Sequence, residues 1–222
     1  MTDGGDGPRS TYRHGDLRGA LLAAGVDMAR EGGPDAVVLR EATRRAGVSP
    51  NAAYRHFADR EALLHAVSDV CLGLVADRLE AEVAARTSHE ALGAGADDER
   101  IRARVELSAV GYGYVAFARE QPGLFRAAFT VPDDLAKAQD PAKAGATGLT
   151  PFQIVGRALD RLVEAGVMPA ERRPGAEFVA WATVHGLGML VIDGPLRGLD
   201  DQMVDYATDR VLEMVDRGLA TA

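Results

Sequence analysis

A chain of 222 residues, 47% of them hydrophobic, can bury a substantial core and suits one large domain or a small domain attached to a larger one. A formal charge of −8 excludes a protein that coats nucleic acid over its whole surface, and a single cysteine, Cys71, excludes an intrachain disulfide framework, as fits a reducing cytoplasm. No stretch approaches the ~20 uninterrupted apolar residues of a membrane span, and the polar, Gly-rich start has no apolar signal-peptide core, so a cytoplasmic location without membrane contact is expected.

Residues 1–14 read as a flexible arm. In "DLRGALLAAGVDMAREGG", Leu17, Leu21, Ala24 and Met28 recur at three- and four-residue steps, the mark of an amphipathic helix, and Gly32-Gly33-Pro34 stops it. A second helix is predicted over 39–46, with Gly47 in the left-handed position that ends it. Ser49 is a good N-cap and Pro50 fits the first helical position, which starts a third helix over 50–57. Asp59 caps a fourth, running through Leu63, Val67, Val70 and Leu74 towards Arg86. "TSHEALGAGADDE" reads as a loop or broken helix. Further helices are predicted over 99–120, from Pro122, and over 151–166, 175–193 and 200–218. Residues 131–149, rich in Pro, Gly, Ala and Asp with little apolar periodicity, read as a poorly ordered loop. "VGYGYVAF" alternates but lies within a helical period, and no internal repeat is evident, so the fold class is all-α.

The charge is uneven. Residues 1–60 carry net +1 and residues 61–222 net −9, which permits a local phosphate-binding surface near the start. Two short helices joined by a tight Gly-containing turn make a helix-turn-helix, whose second helix fits the major groove. Here Ala53 and Phe57 would pack inward and the other side chains of 50–57 face out. The Ser49 and Tyr54 hydroxyls suit phosphate oxygens, and the Asn51 amide suits a base edge. Arg55 and His56 suit either, Arg60 offers a fork for phosphate, and Arg40 could reach guanine O6 and N7. The same pattern also occurs as solvated surface on ordinary helical proteins.

The stretch "YRHGDLRGALLAAGVDMAREGGPDAVVLREATRRAGVSPNAAYRHFADREALLHAV" resembles the N-terminal domain of TetR-type transcriptional regulators. The first-helix "LLAA", the second-helix "LREA", "AGVS", "AYRHF" and "DREALL" agree in order over about Tyr12 to Val67. The resemblance implies a DNA-binding head over 15–60, a ligand-binding and dimerisation domain over 61–222, and a homodimer whose recognition helices enter successive major grooves of a near-palindromic operator. Carried over by position, it assigns Arg40, Ser49, Asn51, Tyr54, His56 and Arg60 to DNA. Pro50 departs from the family's pattern by lacking a side-chain donor, and Arg60 stands where lysine is usual.

The remaining residues should bind a small molecule, dimerise, or both. In "FVAWATVHGLGMLVIDGPL", Trp181 and His185 form an i,i+4 pair, and the segment resembles a C-terminal domain class of the same family marked by Trp and then His-Gly. His185 reads as a buried histidine or a ligand contact, and Trp181 as core or pocket wall. Tyr112, Tyr114, Phe117, Phe125 and Phe129 cluster over 99–130. Gly111 and Gly113, each costly inside a helix, point to a bend or close approach and place a cavity beside Tyr112. The candidate effector site is therefore Tyr112, Phe117, Phe125, Trp181 and His185, with Met189, Cys71 and Phe152 near it. Helices 175–193 and 200–218 either pair with their symmetry mates as a four-helix interface or complete the core of one chain.

The alternatives fare less well. For an enzyme, the five histidines show no paired metal spacing, and there is no nucleophile elbow or phosphate loop, so neither catalysis nor a cofactor is expected. An all-α protein-interaction module that never touches DNA is the remaining rival. The reading is thus a ligand-responsive DNA-binding regulator, a repressor released from its operator by a small apolar molecule.

Overall fold

The computed structural model describes residues 16–93, 98–132 and 134–220. The arm expected over 1–14 lies outside the described residues. Among the described residues the chain is helical and contains no strand.

Helix α1 (Leu17–Gly32) starts where Asp16 Oδ1 accepts from Gly19 N at 2.8 Å and ends at Gly33, whose φ is 72°. A 3-10 turn, Pro34–Ala36, leads to α2 (Leu39–Arg45). Gly47 then takes φ 67°, Gly47 N donates to Arg44 O, and Val48 N donates to Thr43 O, the paired bonds of a Schellman end. Helix α3 (Pro50–Ala53) is shorter than the 50–57 predicted. The winding continues as a turn, with Tyr54 N bonded to Pro50 O and Phe57 N to Ala53 O, so side-chain spacing is kept to Phe57. Ser49 caps α3 and Asp59 caps α4 (Arg60–Arg86), as the sequence implies.

Helix α5 (His89–Leu92) occupies part of the segment read as loop or broken helix. Helices α6 (Glu99–Glu120), α7 (Pro122–Phe129), α8 (Pro151–Glu164), α9 (Ala176–Ile192) and α10 (Asp201–Ala220) follow. The start of α8 is fixed by a capping box, with Thr150 and Gln153 satisfying each other's backbone N–H groups.

Helices α4 and α6 pack against each other as the spine. Around α6 lie α7, α8, α9 and α10, while α1 sits on α4 and α7. The two glycines in α6 mark close approaches. A Cβ on Gly111 would lie 2.2 Å from Leu212 Cδ2 of α10, and one on Gly113 would lie 3.2 Å from the α4 backbone. Glu106 of α6 is buried and meets Arg161 at 3.3 Å, while Arg157 of α8 reaches Glu80 of α4 at 2.9 Å. Arg104 with Asp216, and Arg119 with Asp201 and Asp205, tie α10 to α6.

The segment read as a poorly ordered loop differs from expectation. It carries two 3-10 turns, Leu135–Lys137 and Pro141–Lys143, and lies along α4. Ala146 N donates to Asp77 Oδ1 at 2.6 Å, and a Cβ on Gly73 would lie 2.8 Å from Ala144 O. A helical glycine on one side and a backbone N–H bonded to a carboxylate on the other hold the segment down, so apolar periodicity was not needed.

Candidate nucleic-acid interface and ligand cavity

The head is built by α1, α2 and α3. Ala53 is fully buried and Phe57 is 2% exposed, and the two pin the third helix to the first two. Because α3 is anchored by that face, its opposite face must project. Ser49, Asn51, Tyr54, Arg55 and His56 are all exposed, Tyr54 by 58%. Arg40, on the first turn of α2, is exposed as well. Among the described residues, no side chain bonds to those of Arg40, Asn51, Tyr54, Arg55 or His56. The neighbouring arginines behave differently. Arg44 and Arg45 both bond Glu41, whose carboxyl they hold at about 2, and Arg45 also bonds Glu31 at 2.7 Å. The head therefore offers a face of unsatisfied donors beside arginines already neutralised by carboxylates.

Arg60 departs from its expected place. Its Nε donates to Val37 O and its Nη2 to Pro34 O, each at 2.8 Å. The fork fastens the first turn of α4 to the 3-10 turn after α1, with only Nη1 wholly uncommitted among the described residues.

The larger part holds a cavity of about 460 Å³ bordered by α4, α6, α7, α8, α9, α10 and residues 131, 132, 134, 135, 138 and 143. Of the candidates read from the sequence, Trp181 and His185 line it, and so does Phe152. Cys71, Tyr112, Phe117, Phe125 and Met189 do not. Each miss has a geometric cause. Tyr112 and Tyr114 lie about 200° apart around α6, and it is Tyr114 that faces the cavity while the Arg86 guanidinium sits 3.8 Å over the Tyr112 ring. Phe125 is fully buried behind the wall, edge-on to Tyr114 with ring centroids 5.3 Å apart, and Phe117 lies in the core. Cys71 lies one residue, about 100° around α4, from the lining Leu72, and burial pushes its thiol up to about 12. Met189 lies one helical turn past His185.

The residues missed include Ser68, Asp69 and Leu72 of α4, Val110 and Tyr114 of α6, and Lys143. On α4 the lining positions 65, 68, 69 and 72 share one face at three- and four-residue steps, offset from the stripe of Leu63, Val67, Val70 and Leu74 by which the helix is recognised in the sequence. Phe129 of α7 closes the wall against Trp181 and His185, with ring centroids 6.1 and 5.0 Å away.

Among the described residues no helix is long and apolar enough to cross a membrane, and no cluster of His, Cys, Asp and Glu could hold a metal ion.

Residues 21–67 match the family model described as bacterial regulatory proteins, tetR family, and residues 107–215 match that of the tetracyclin repressor-like C-terminal domain. No curated protein matches the chain. Among solved structures, one described as a protein with unknown function from Rhodococcus sp. RHA1 is 28% identical, with a TM-score of 0.70 over 96% of this chain and 100% of that one. A TetR family transcription regulator from Marinobacter aquaeolei VT8 is 20% identical, with a TM-score of 0.51 over 88% of this chain and 93% of that one, and shares the fold. One matched segment is the head with its donor face and the other holds most of the cavity's walls, so the chain belongs to the TetR family of DNA-binding transcriptional regulators.

Proposed function

We infer that the protein is a ligand-responsive repressor that sits on a near-palindromic operator as a homodimer and leaves it when a small apolar molecule fills the cavity. The observation that carries this reading is α4. It is one uninterrupted helix of 27 residues, about 40 Å long. Its first turn holds the head through Arg60, and its middle lines the cavity with Ser68, Asp69 and Leu72. A ligand that displaces α4 must therefore move the head. Without ligand the two heads stand at the spacing of successive major grooves, about 34–36 Å. A ligand that prefers the released form by about 1–3 kcal/mol lowers operator affinity about 5–150-fold.

On DNA, Arg40, Asn51, Arg55 and His56 supply base and phosphate contacts, and Ser49 and Tyr54 donate to phosphate. Arg60 supplies only its Nη1 hydrogens and the second Nη2–H, since Nε–H and the other Nη2–H hold the head together. A gel shift on the DNA upstream of the gene, run over a salt series, tests this. Binding should fall steeply with salt as phosphate contacts require. Arg40→Ala and Tyr54→Ala should each weaken operator binding by about 1–3 kcal/mol with unchanged fold and dimer. Equal affinity in both variants would remove this face from the DNA.

The dimer is assigned to α9 and α10. Phe178, Val179 and Leu190 on α9, and Met203, Tyr206 and Met214 on α10, are large apolar side chains left exposed. On α9 they flank Gly186, where an added Cβ would meet nothing within 4 Å, so a second helix can come close. Tyr206→Glu together with Met214→Glu should shift the protein from dimer to monomer in analytical ultracentrifugation and abolish operator binding at nanomolar protein. A dimer that survives both charges would place the interface elsewhere.

A further inference from the structure

Trp181, Tyr114 and His185 form a chain of hydrogen bonds in the cavity wall. Trp181 Nε1–H donates to Tyr114 Oη at 3.1 Å, and Tyr114 Oη lies 2.8 Å from His185 Nδ1. An indole nitrogen only donates. Tyr114 Oη therefore accepts from Trp181, and its own proton has one acceptor among the described residues, Nδ1. That leaves Nδ1 bare and puts the imidazole proton on Nε2. Burial raises the Tyr114 phenol well above its ordinary range and lowers the His185 imidazole below its own, so both groups stay neutral.

Nε2–H has no partner among the described residues, and it is not sealed in the core. The one fully buried side-chain nitrogen or oxygen without a hydrogen-bond partner among the described residues is Arg157 Nε, which faces Glu106 Oε1 at 3.7 Å. His185 itself lines the cavity, so its spare donor is offered to whatever fills that space. The surrounding wall is apolar, built from Leu72, Val110, Phe129, Phe152, Val184 and Leu212. The ionisable lining is Asp69, Asp134 and Glu177 against Lys143, with His65. None of the four charged groups stands open. Glu177 accepts from Arg173 at 2.6 Å, and Asp69, Asp134 and Lys143 each have a partner. An anion would meet an acidic excess and no unengaged ammonium, and a cation would meet the proton of Nε2. A space of about 460 Å³ lies within the usual range of small-molecule pockets.

We propose that the cavity selects a neutral apolar molecule bearing a carbonyl acceptor, such as a ketone, ester or lactone, whose oxygen sits on His185 Nε2–H. Tyr114 and Trp181 are positioning residues that fix which nitrogen carries the proton. The proposal rests on the ligand-responsive reading above and names the class of its ligand.

Four probes of similar size test it: benzylacetone, n-butylbenzene, phenylbutyrate and phenylbutylamine, titrated into the full-length protein. Trp181 is the only tryptophan, so its emission reports the cavity directly, and calorimetry supplies an independent Kd. The ketone is expected to bind at least about 5-fold more tightly than the other three, the range set by satisfying a desolvated donor. His185→Leu should bring the ketone down to the hydrocarbon's affinity in the same variant. Tyr114→Phe keeps the ring and drops the relay, and it should narrow the ketone's advantage. It decides the question where His185→Leu fails to fold. Equal binding of ketone and hydrocarbon to the unaltered protein, or tightest binding of phenylbutyrate or the amine, overturns the carbonyl anchor and leaves the cavity as a ligand site. Failure of all four to bind removes the ligand-site reading as well.

Discussion

Phe125→Ala is expected to lower unfolding free energy by about 3–5 kcal/mol, the loss typical of truncating a fully buried phenylalanine. Phe125 is wholly inaccessible. Its ring packs edge-on to Tyr114, tilted to Phe129 at 5.1 Å and stacked on His185 at 5.6 Å. A Cβ on Gly188 of α9 would lie only 3.5 Å from its Cζ, so little can move in to fill the space. The cost is then transfer plus cavity, with little relaxation to offset it. For a domain of this size that amounts to a fall in Tm of roughly 6–20 °C. Urea unfolding measures it directly. A loss below about 1 kcal/mol would mean that Phe125 faces the cavity, as the sequence reading had it, and would move the wall by one side chain.

Gly123→Ala should cost about 1–3 kcal/mol or more, although alanine is the better helix former. Gly123 stands in the first turn of α7, where an added Cβ would lie 2.3 Å from Ala29 O and 2.8 Å from Arg30 O. Both are backbone atoms at the end of α1, so no rotamer change relieves the clash and the helices must part. Gly111→Ala is the informative contrast. Its methyl would meet Leu212 Cδ2, the end of a flexible side chain, and the loss should be smaller. The α7–α1 contact also bears on the proposed function. Helix α7 carries Phe129 on the cavity wall, so it touches the cavity at one end and the head at the other. Amide exchange in the last turn of α1 should therefore accelerate in Gly123→Ala. Unchanged stability and unchanged protection would show that α7 does not press on the head.

The ends of the early helices were legible because each depends on a few adjacent residues. Gly47 adopts the left-handed conformation, Ser49 and Asp59 cap the helices that follow them, and Pro50 stands in the first turn of α3. The donor face of the head was legible for the same reason. Once Ala53 and Phe57 are placed inward, helical spacing turns Asn51, Tyr54 and Arg55 outward. The cavity was legible only in part. Trp181 and His185 were found because one apolar helix holds both at four-residue spacing. Tyr112 was chosen for its flanking glycines, yet those glycines record where α10 and α4 approach, and the tyrosine between them turns away.

Taken alone, the sequence determined the all-α class, the capped starts of α3 and α4, and the exposed donors of the third helix, since all of these follow from interactions within about one helical turn. Three things were left to the tertiary structure: that Tyr114 rather than Tyr112 meets His185, that Arg60 clamps the head together, and that Val131, Pro132, Leu135 and Lys143 help form a wall. Each depends on which face of one helix meets a neighbour tens of residues away. That choice is made by the packing of the whole core, which local spacing does not encode.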